Sequence, residues 1–338
     1  MSDQPESADE NPEQQKEGKL AFAAVESAPE PFETRVMNWV LFGRDGLRAG
    51  WSIALFVTAF FVFLSVGGFF AILISGHGVQ EQVASLAHGL SARMLMAQEG
   101  ISVFGLLGAG LVMALIEKRR LGDYNLADRR FPAHIVAGLV GGFLALSGLV
   151  LALRAGGWIG FGQRAPSGFV VVGNALTWGA GFLLVALFEE GAFRCYLLRT
   201  FHRGFGGGDW GWWAAALVSS AMFGSIHFSN HGEGWIGVGA AAGIGVVFCC
   251  SVRWTGSAWW AIGFHAAWDW TQTFFYGTAD SGIVPTGHWL STQPAGNPLW
   301  SGGATGPEGS LAIVPLLVLV LITLFLGYGW RQRRDSAF

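Results

Sequence analysis

Apolar stretches long enough to cross a lipid bilayer recur along the whole of this chain. Inside a bilayer every backbone N–H and C=O must be paired within the protein, so such stretches are confined to helices or to a closed barrel. Their length, about 20 residues where a barrel strand needs about ten, selects helices. Eight segments qualify, roughly 51–75, 98–116, 133–153, 170–200, 210–229, 234–252, 256–276 and 310–330. Of the 338 residues, 52% are hydrophobic and 13% are charged, which excludes an ordinary soluble domain. The expected fold is all-α, a polytopic membrane protein with about eight transmembrane helices.

Lys and Arg near helix ends tend to stay on the cytoplasmic side. With the N-terminus inside, 17 of the 20 Lys and Arg fall on that side or at its edge, and only Arg93, Arg154 and Arg164 fall outside. Both termini are therefore expected in the cytoplasm, in a bacterial-type cytoplasmic membrane. Residues 1–34 carry nine acidic and two basic side chains and lack the basic start and apolar core of a signal peptide, so they read as a disordered acidic tail. The tail's own charge of −7 more than accounts for the net charge of −3, and no nucleic-acid partner is expected. The remaining divisions are an N-terminal transmembrane scaffold (35–165), a helical core carrying the chemistry (166–276), an outer loop (277–309), and the last helix with a basic cytoplasmic end (310–338). Cys195, Cys249 and Cys250 lack metal-type spacing and read as small buried hydrophobes. The basic link EKRRLGDYNLADRR reads as a topology anchor at the cytoplasmic surface.

Segments one to three hold almost no ionisable residue in their cores and read as scaffold. Segments four to seven hold Glu189, Glu190, Arg194, His227, His265 and Asp269, and ionisable groups inside a membrane are costly enough to mark function. The glycines of RGFGGGD make a tight turn between segments four and five. At about 1.5 Å per residue, Glu189 stands about 24 Å and His227 about 30 Å from that turn, while His265 and Asp269 stand about 14 Å and 20 Å above the start of segment seven. The six share a layer only if segment four runs on through EEGAFRCYLLRTF.

Glu190 and Arg194 lie four apart and read as an ion pair. Glu189, about 100° around the helix, is free to face a cavity. His265 and Asp269 repeat the spacing, so the carboxylate can orient the imidazole, and Phe223 gives His227 an apolar neighbour on its own face. A carboxylate beside two imidazoles in a secluded pocket suffices to take a proton from water and to stabilise charge on an attacked carbonyl. The same groups could instead hold a divalent metal such as zinc, and spacing does not choose between the two.

EEGAFR at 189–194 resembles the EExxxR motif, FGSIH at 223–227 the FxxxH motif, and HAAWD at 265–269 the HxxxN/D motif of the CAAX protease and bacteriocin-processing (CPBP, or ABI) family of intramembrane endopeptidases. The order and the placement of one motif per helix agree, over about residues 170–276. The resemblance implies a multi-helix membrane peptidase acting on a membrane-associated protein or peptide. It implies that Glu189 activates water with help from His227, and that His265 and Asp269 stabilise the oxyanion. Both a metal-free glutamate mechanism and a zinc metallopeptidase are compatible with it. This chain departs from the pattern at Cys195, where similar proteins often have Gly, and at Asp269, where the prenyl-protein branch has Asn. An ionised aspartate cannot donate to an oxyanion, so Asp269 is expected to be protonated, to orient His265 or to bind a cation. A substrate without a prenyl group is expected.

Two other classes also use buried charges. An ion- or proton-coupled transporter would show repeats and broken helices, which the sequence does not display. A catalytically silent scaffold or immunity protein would keep the fold and tolerate loss of Glu189. Without the motifs, Glu190 with Arg194 would read as a structural ion pair and His265 as a packing residue. Neither a G-x-S-x-G nucleophile turn nor an H-E-x-x-H zinc motif occurs. His202, His231 and His288 read as solvated. Trp210, Trp212, Trp213, Trp259, Trp260, Trp268 and Trp270 read as interfacial or lipid-facing, and Glu308 can cap the last helix or close over the site, of which capping is the expected role.

Overall fold

The computed structural model describes residues 32–43, 46–76, 90–162, 168–230, 232–282 and 285–330. Most of the acidic tail (1–31), His231 and the basic end after 330 lie outside the described residues. The chain divides into two units, Met1–Arg48 and Ala49–Phe338. In the first, α1 (Phe32–Leu41), with no buried residue, leads into an antiparallel pair of β1 (Phe42–Gly43) and β2 (Gly46–Leu47). Arg48 Nε donates to Trp39 O at 2.9 Å.

The second unit is helical. Its helices are α2 (Ala49–Ser75), α3 (Ala92–Ile116), α4 (Phe131–Ala155), α5 (Phe169–Gly204), α6 (Gly208–Ile226), α7 (Trp235–Thr255), α8 (Trp259–Trp270, prolonged by a π-helical turn at Thr271–Phe275), α9 (Pro298–Ser301) and α10 (Ile313–Gly329). Five of them, α2, α3, α4, α5 and α7, are long and apolar enough to cross a membrane. The fold is thus the all-α, multi-pass membrane architecture expected, and the exact count of eight spans is not confirmed among the described residues. Trp, Gly and Ser dilute the hydropathy of α6, while α8 and α10 are too short. A small antiparallel pair, β3 (Ile159–Phe161) with β4 (Thr292–Pro294), ties the 277–309 loop to the end of α4.

Close backbone approach fixes α8 against α4. A Cβ added at Gly138 would collide with Trp260 O, one at Gly142 with Phe264 O, and one at Gly263 with Ile135 O. Gly138 and Gly142, four apart on α4, and Gly263 of α8 form the small-residue seam that lets membrane helices touch through their backbones. Around the seam, Leu146, Leu149, Val150 and Leu153 of α4 pack with Phe248 of α7 and with Trp260, Phe264 and Trp268 of α8. Trp212, Trp260 and Trp268 therefore correct the lipid-facing expectation: each is buried inside the bundle, whereas Trp210 is 81% exposed. Trp212 lies under the Arg253 guanidinium at 4.7 Å, and the other two fill space beside the seam.

α5 is unbroken over 36 residues, as the shared layer required, and the glycines at 206, 207 and 208 turn the chain into α6 with positive φ. Within α5 the stretch Gly191–Leu197 is π-helical, and Leu198 N–H reaches back five residues to Phe193 O.

The basic link is more than a topology anchor. Tyr124 is buried, Asn125 O accepts from Ala258 N–H at 2.8 Å, and Leu126 O accepts from the Trp259 indole at 2.9 Å. Asp128 accepts from Ser257 Oγ at 2.7 Å and from Arg130 N–H at 2.7 Å, and meets His134 Nδ1 at 2.6 Å. Burial pulls its carboxyl upward, but these hydrogen bonds outweigh burial and hold Asp128 below the ordinary value of 3.8.

Candidate active site

α5, α6 and α8 bring the three motif segments around one cavity of about 300 Å³. Of the six residues singled out, Glu189, His227, His265 and Asp269 line it. Glu190 and Arg194 lie behind it and are fully buried.

The buried pair organises the site. Arg194 Nη1 donates to Glu190 Oε1 at 3.1 Å, and Nε lies 3.1 Å from Oε2 without hydrogen-bond alignment. Nη2 has no nitrogen or oxygen acceptor among the described residues; the guanidinium lies over the Phe223 ring at 4.1 Å and near that of Phe248 at 5.2 Å. Gly245 leaves room for this, since a Cβ there would stand 3.1 Å from Nη2.

Glu190 Oε1 also meets His265 Nδ1 at 2.8 Å. A carboxylate paired with Arg can only accept, so His265 Nδ1 carries the proton of that bond. Its Nε2 faces Glu189 Oε2 at 3.7 Å and Asp269 Oδ2 at 3.4 Å. Of the three roles open to Asp269, this contact supports orientation of His265. His227 Nδ1 donates to Phe223 O at 2.8 Å, with the two rings 4.9 Å apart, so Nε2 is its second polar atom.

Sequence reasoning missed part of the cavity wall. Glu99 of α3 lines it, with Oε2 buried and without a hydrogen-bond partner among the described residues, so α3 is more than scaffold. The signal was available, because Glu99 is an acid one residue inside an apolar segment. The 277–309 loop contributes Asp280, Ser281 and Glu308. Glu308 Oε1 accepts from Ser281 N–H at 2.6 Å and from Ser281 Oγ at 3.1 Å, so it closes the loop over the cavity and does not cap the last helix. Asp280 accepts from Thr273 Oγ1 at 2.8 Å, and burial, then the charges of Asp269 and Glu308, push it well above the ordinary 3.8. His288 is half-buried with Nδ1 enclosed, and His202 is half-buried with Nε2 3.1 Å from Gly208 O, so neither is simply solvated.

The bonds of His227 and His265 through Nδ1 leave each Nε2 as the remaining ring atom, Glu190 is held by Arg194, and among the described residues no three His, Cys, Asp or Glu side chains form a metal-ligating group. The cysteines are free and buried.

The fold and the cavity together define a multi-pass membrane protein that encloses a carboxylate–imidazole cluster among its helices. Residues 171–271 match the Rce1-like family, described as type II CAAX prenyl endopeptidase Rce1-like. That match covers less than a third of the chain but contains all six residues, and it supports assignment to the CAAX protease (CPBP) family of membrane proteases. No curated protein and no solved structure matches the chain.

Proposed function

We propose that this protein is an intramembrane endopeptidase that hydrolyses a peptide bond of a membrane-associated protein or peptide with water activated by Glu189. One observation carries the reading: the Glu189 carboxylate, the His227 imidazole and the His265–Asp269 pair line one cavity, with a buried ion pair holding His265 from behind. Glu189 takes a proton from water, His227 Nε2 helps to hold that water, and the oxygen attacks the peptide carbonyl carbon. The carbonyl electrons move onto oxygen, where His265, protonated on both ring nitrogens between the Glu190 and Asp269 carboxylates, donates its Nε2–H to the charge. Collapse breaks the C–N bond, and Glu189 passes its proton to the leaving amine. Glu190, Arg194 and Asp269 position the His265 ring and touch no reacting atom.

The substrate in this reading lacks a prenyl group, and both termini face the cytoplasm, in keeping with the Lys and Arg distribution. No step of this reading passes through a metal. The decisive experiment screens a library of membrane peptides with purified protein in detergent, comparing the parent with Glu189→Gln and His227→Ala. Cleavage by the parent, loss with both variants at unchanged thermal midpoints, and survival of the rate after exhaustive dialysis against a chelator are expected. Equal cleavage by Glu189→Gln would overturn the catalytic assignment, and a rate lost to chelation and restored by zinc would overturn the metal-free one.

A further inference from the structure

The wide turn in α5 diverts the N–H that an α-helix would give to one backbone carbonyl. In an α-helix Arg194 O would accept from Leu198 N–H, four residues on, but that N–H is given to Phe193 O. A donor to this carbonyl comes from the basic link: Asn125 Nδ2 donates to Arg194 O at 2.7 Å. The carbonyl can only accept, so the amide edge facing it is the NH₂ group.

The same residue also holds the other half of the site. Asn125 has φ +59°, a left-handed conformation that Asn tolerates better than most side chains, and this turns its own carbonyl to accept Ala258 N–H at 2.8 Å. Ala258 immediately precedes α8, which carries His265 and Asp269. One residue outside every motif thus bonds, through its side chain, the helix of Glu189, Glu190 and Arg194 and, through its backbone, the helix of His265 and Asp269.

We propose that Asn125 is a positioning residue for the hydrolytic site, setting the Arg194–Glu190–His265 chain of contacts that aims His265 Nε2 into the cavity. This rests on the endopeptidase reading above. The amide fixes the carbonyl of Arg194, the guanidinium grips Glu190, and Glu190 Oε1 holds His265 Nδ1. Groups that orient a reacting side chain from behind are worth about 10- to 100-fold in activity.

Two substitutions separate this role from a merely structural one. Asn125→Asp keeps the tolerance for positive φ and the backbone bond to Ala258 but loses the amide donor, and Asn125→Gly keeps the backbone alone. Both are expected to lower kcat about 10- to 100-fold with KM within about twofold. Both are expected to raise hydrogen exchange over residues 187–198 and to leave the start of α8 protected. Parent-like kcat with Glu189→Gln inactive overturns the proposal while the endopeptidase reading stands. Unchanged exchange over 187–198 overturns it whatever the activity, and so does a uniform rise in exchange with full kcat per folded molecule. Full activity of Glu189→Gln sinks the endopeptidase reading instead, and the exchange map still reports whether Asn125 holds the turn.

Discussion

Glu189 and Glu190 are chain neighbours with opposite duties, because one residue turns a helical side chain by about 100°. Glu189 lines the cavity with a side chain 21% exposed; Glu190 is sealed against Arg194. Their conservative substitutions are therefore expected to fail differently. Glu189→Gln removes the proton acceptor and lowers kcat about 10²- to 10⁴-fold, with no change in the unfolding midpoint in detergent. Glu190→Gln leaves a buried guanidinium without its counter-charge and costs about 3–5 kcal/mol, read as a fall in the denaturant midpoint of the purified protein. These charges were legible in the sequence because ionisable groups stand out in an apolar run. What the residue pattern could not supply was the second partner of Glu190: His265 comes from another helix 75 positions away.

Among the elements, the α4–α8 contact is the most sensitive to size. Gly142→Ala would drive a methyl into Phe264 O, and overpacking of this kind costs about 1–3 kcal/mol. Gly148→Ala on the same helix meets nothing within 4 Å and serves as the matched control, expected to leave the thermal midpoint unchanged. Because α8 carries His265 and Asp269, Gly142→Ala is also expected to lower the specific activity of the molecules that remain folded. The helical period of α4 was readable from the sequence, but not which of its glycines faces a backbone. That depends on the depth at which α8 docks, a property of neither helix alone.

For the whole molecule, the link between α3 and α4 adds a contribution to stability that acid removes. The folded value of Asp128 lies below its ordinary 3.8, so its contribution is complete above 3.8 and is lost as pH falls through the lower folded value. Asp128→Asn is expected to lower stability at neutral pH and to flatten the fall of the midpoint below pH about 4, measured by thermal unfolding across a pH series. The sequence showed this link only as a basic stretch, since its bonds to Ser257, Ala258 and Trp259 join residues some 130 positions apart. The bundle as a class was plain from the apolar segments, but the number of crossings was not. Short helices such as α8, enclosed by neighbours, need not be long or apolar enough to face lipid alone.

The wide turn at Gly191–Leu197 makes the angular phase of α5 a property of residue count. Deleting one residue there would shorten the helix by about 1.5 Å yet rotate its upper half by about 100° against its lower half. The lower half is anchored, with Tyr196 OH on Ser52 O and Arg203 on Ser52 and Glu117, so the rotation would fall on Glu189 and Glu190. Along this segment the chain can absorb exchanges of side chains far better than insertions or deletions, and divergence within it should proceed by substitution at fixed length.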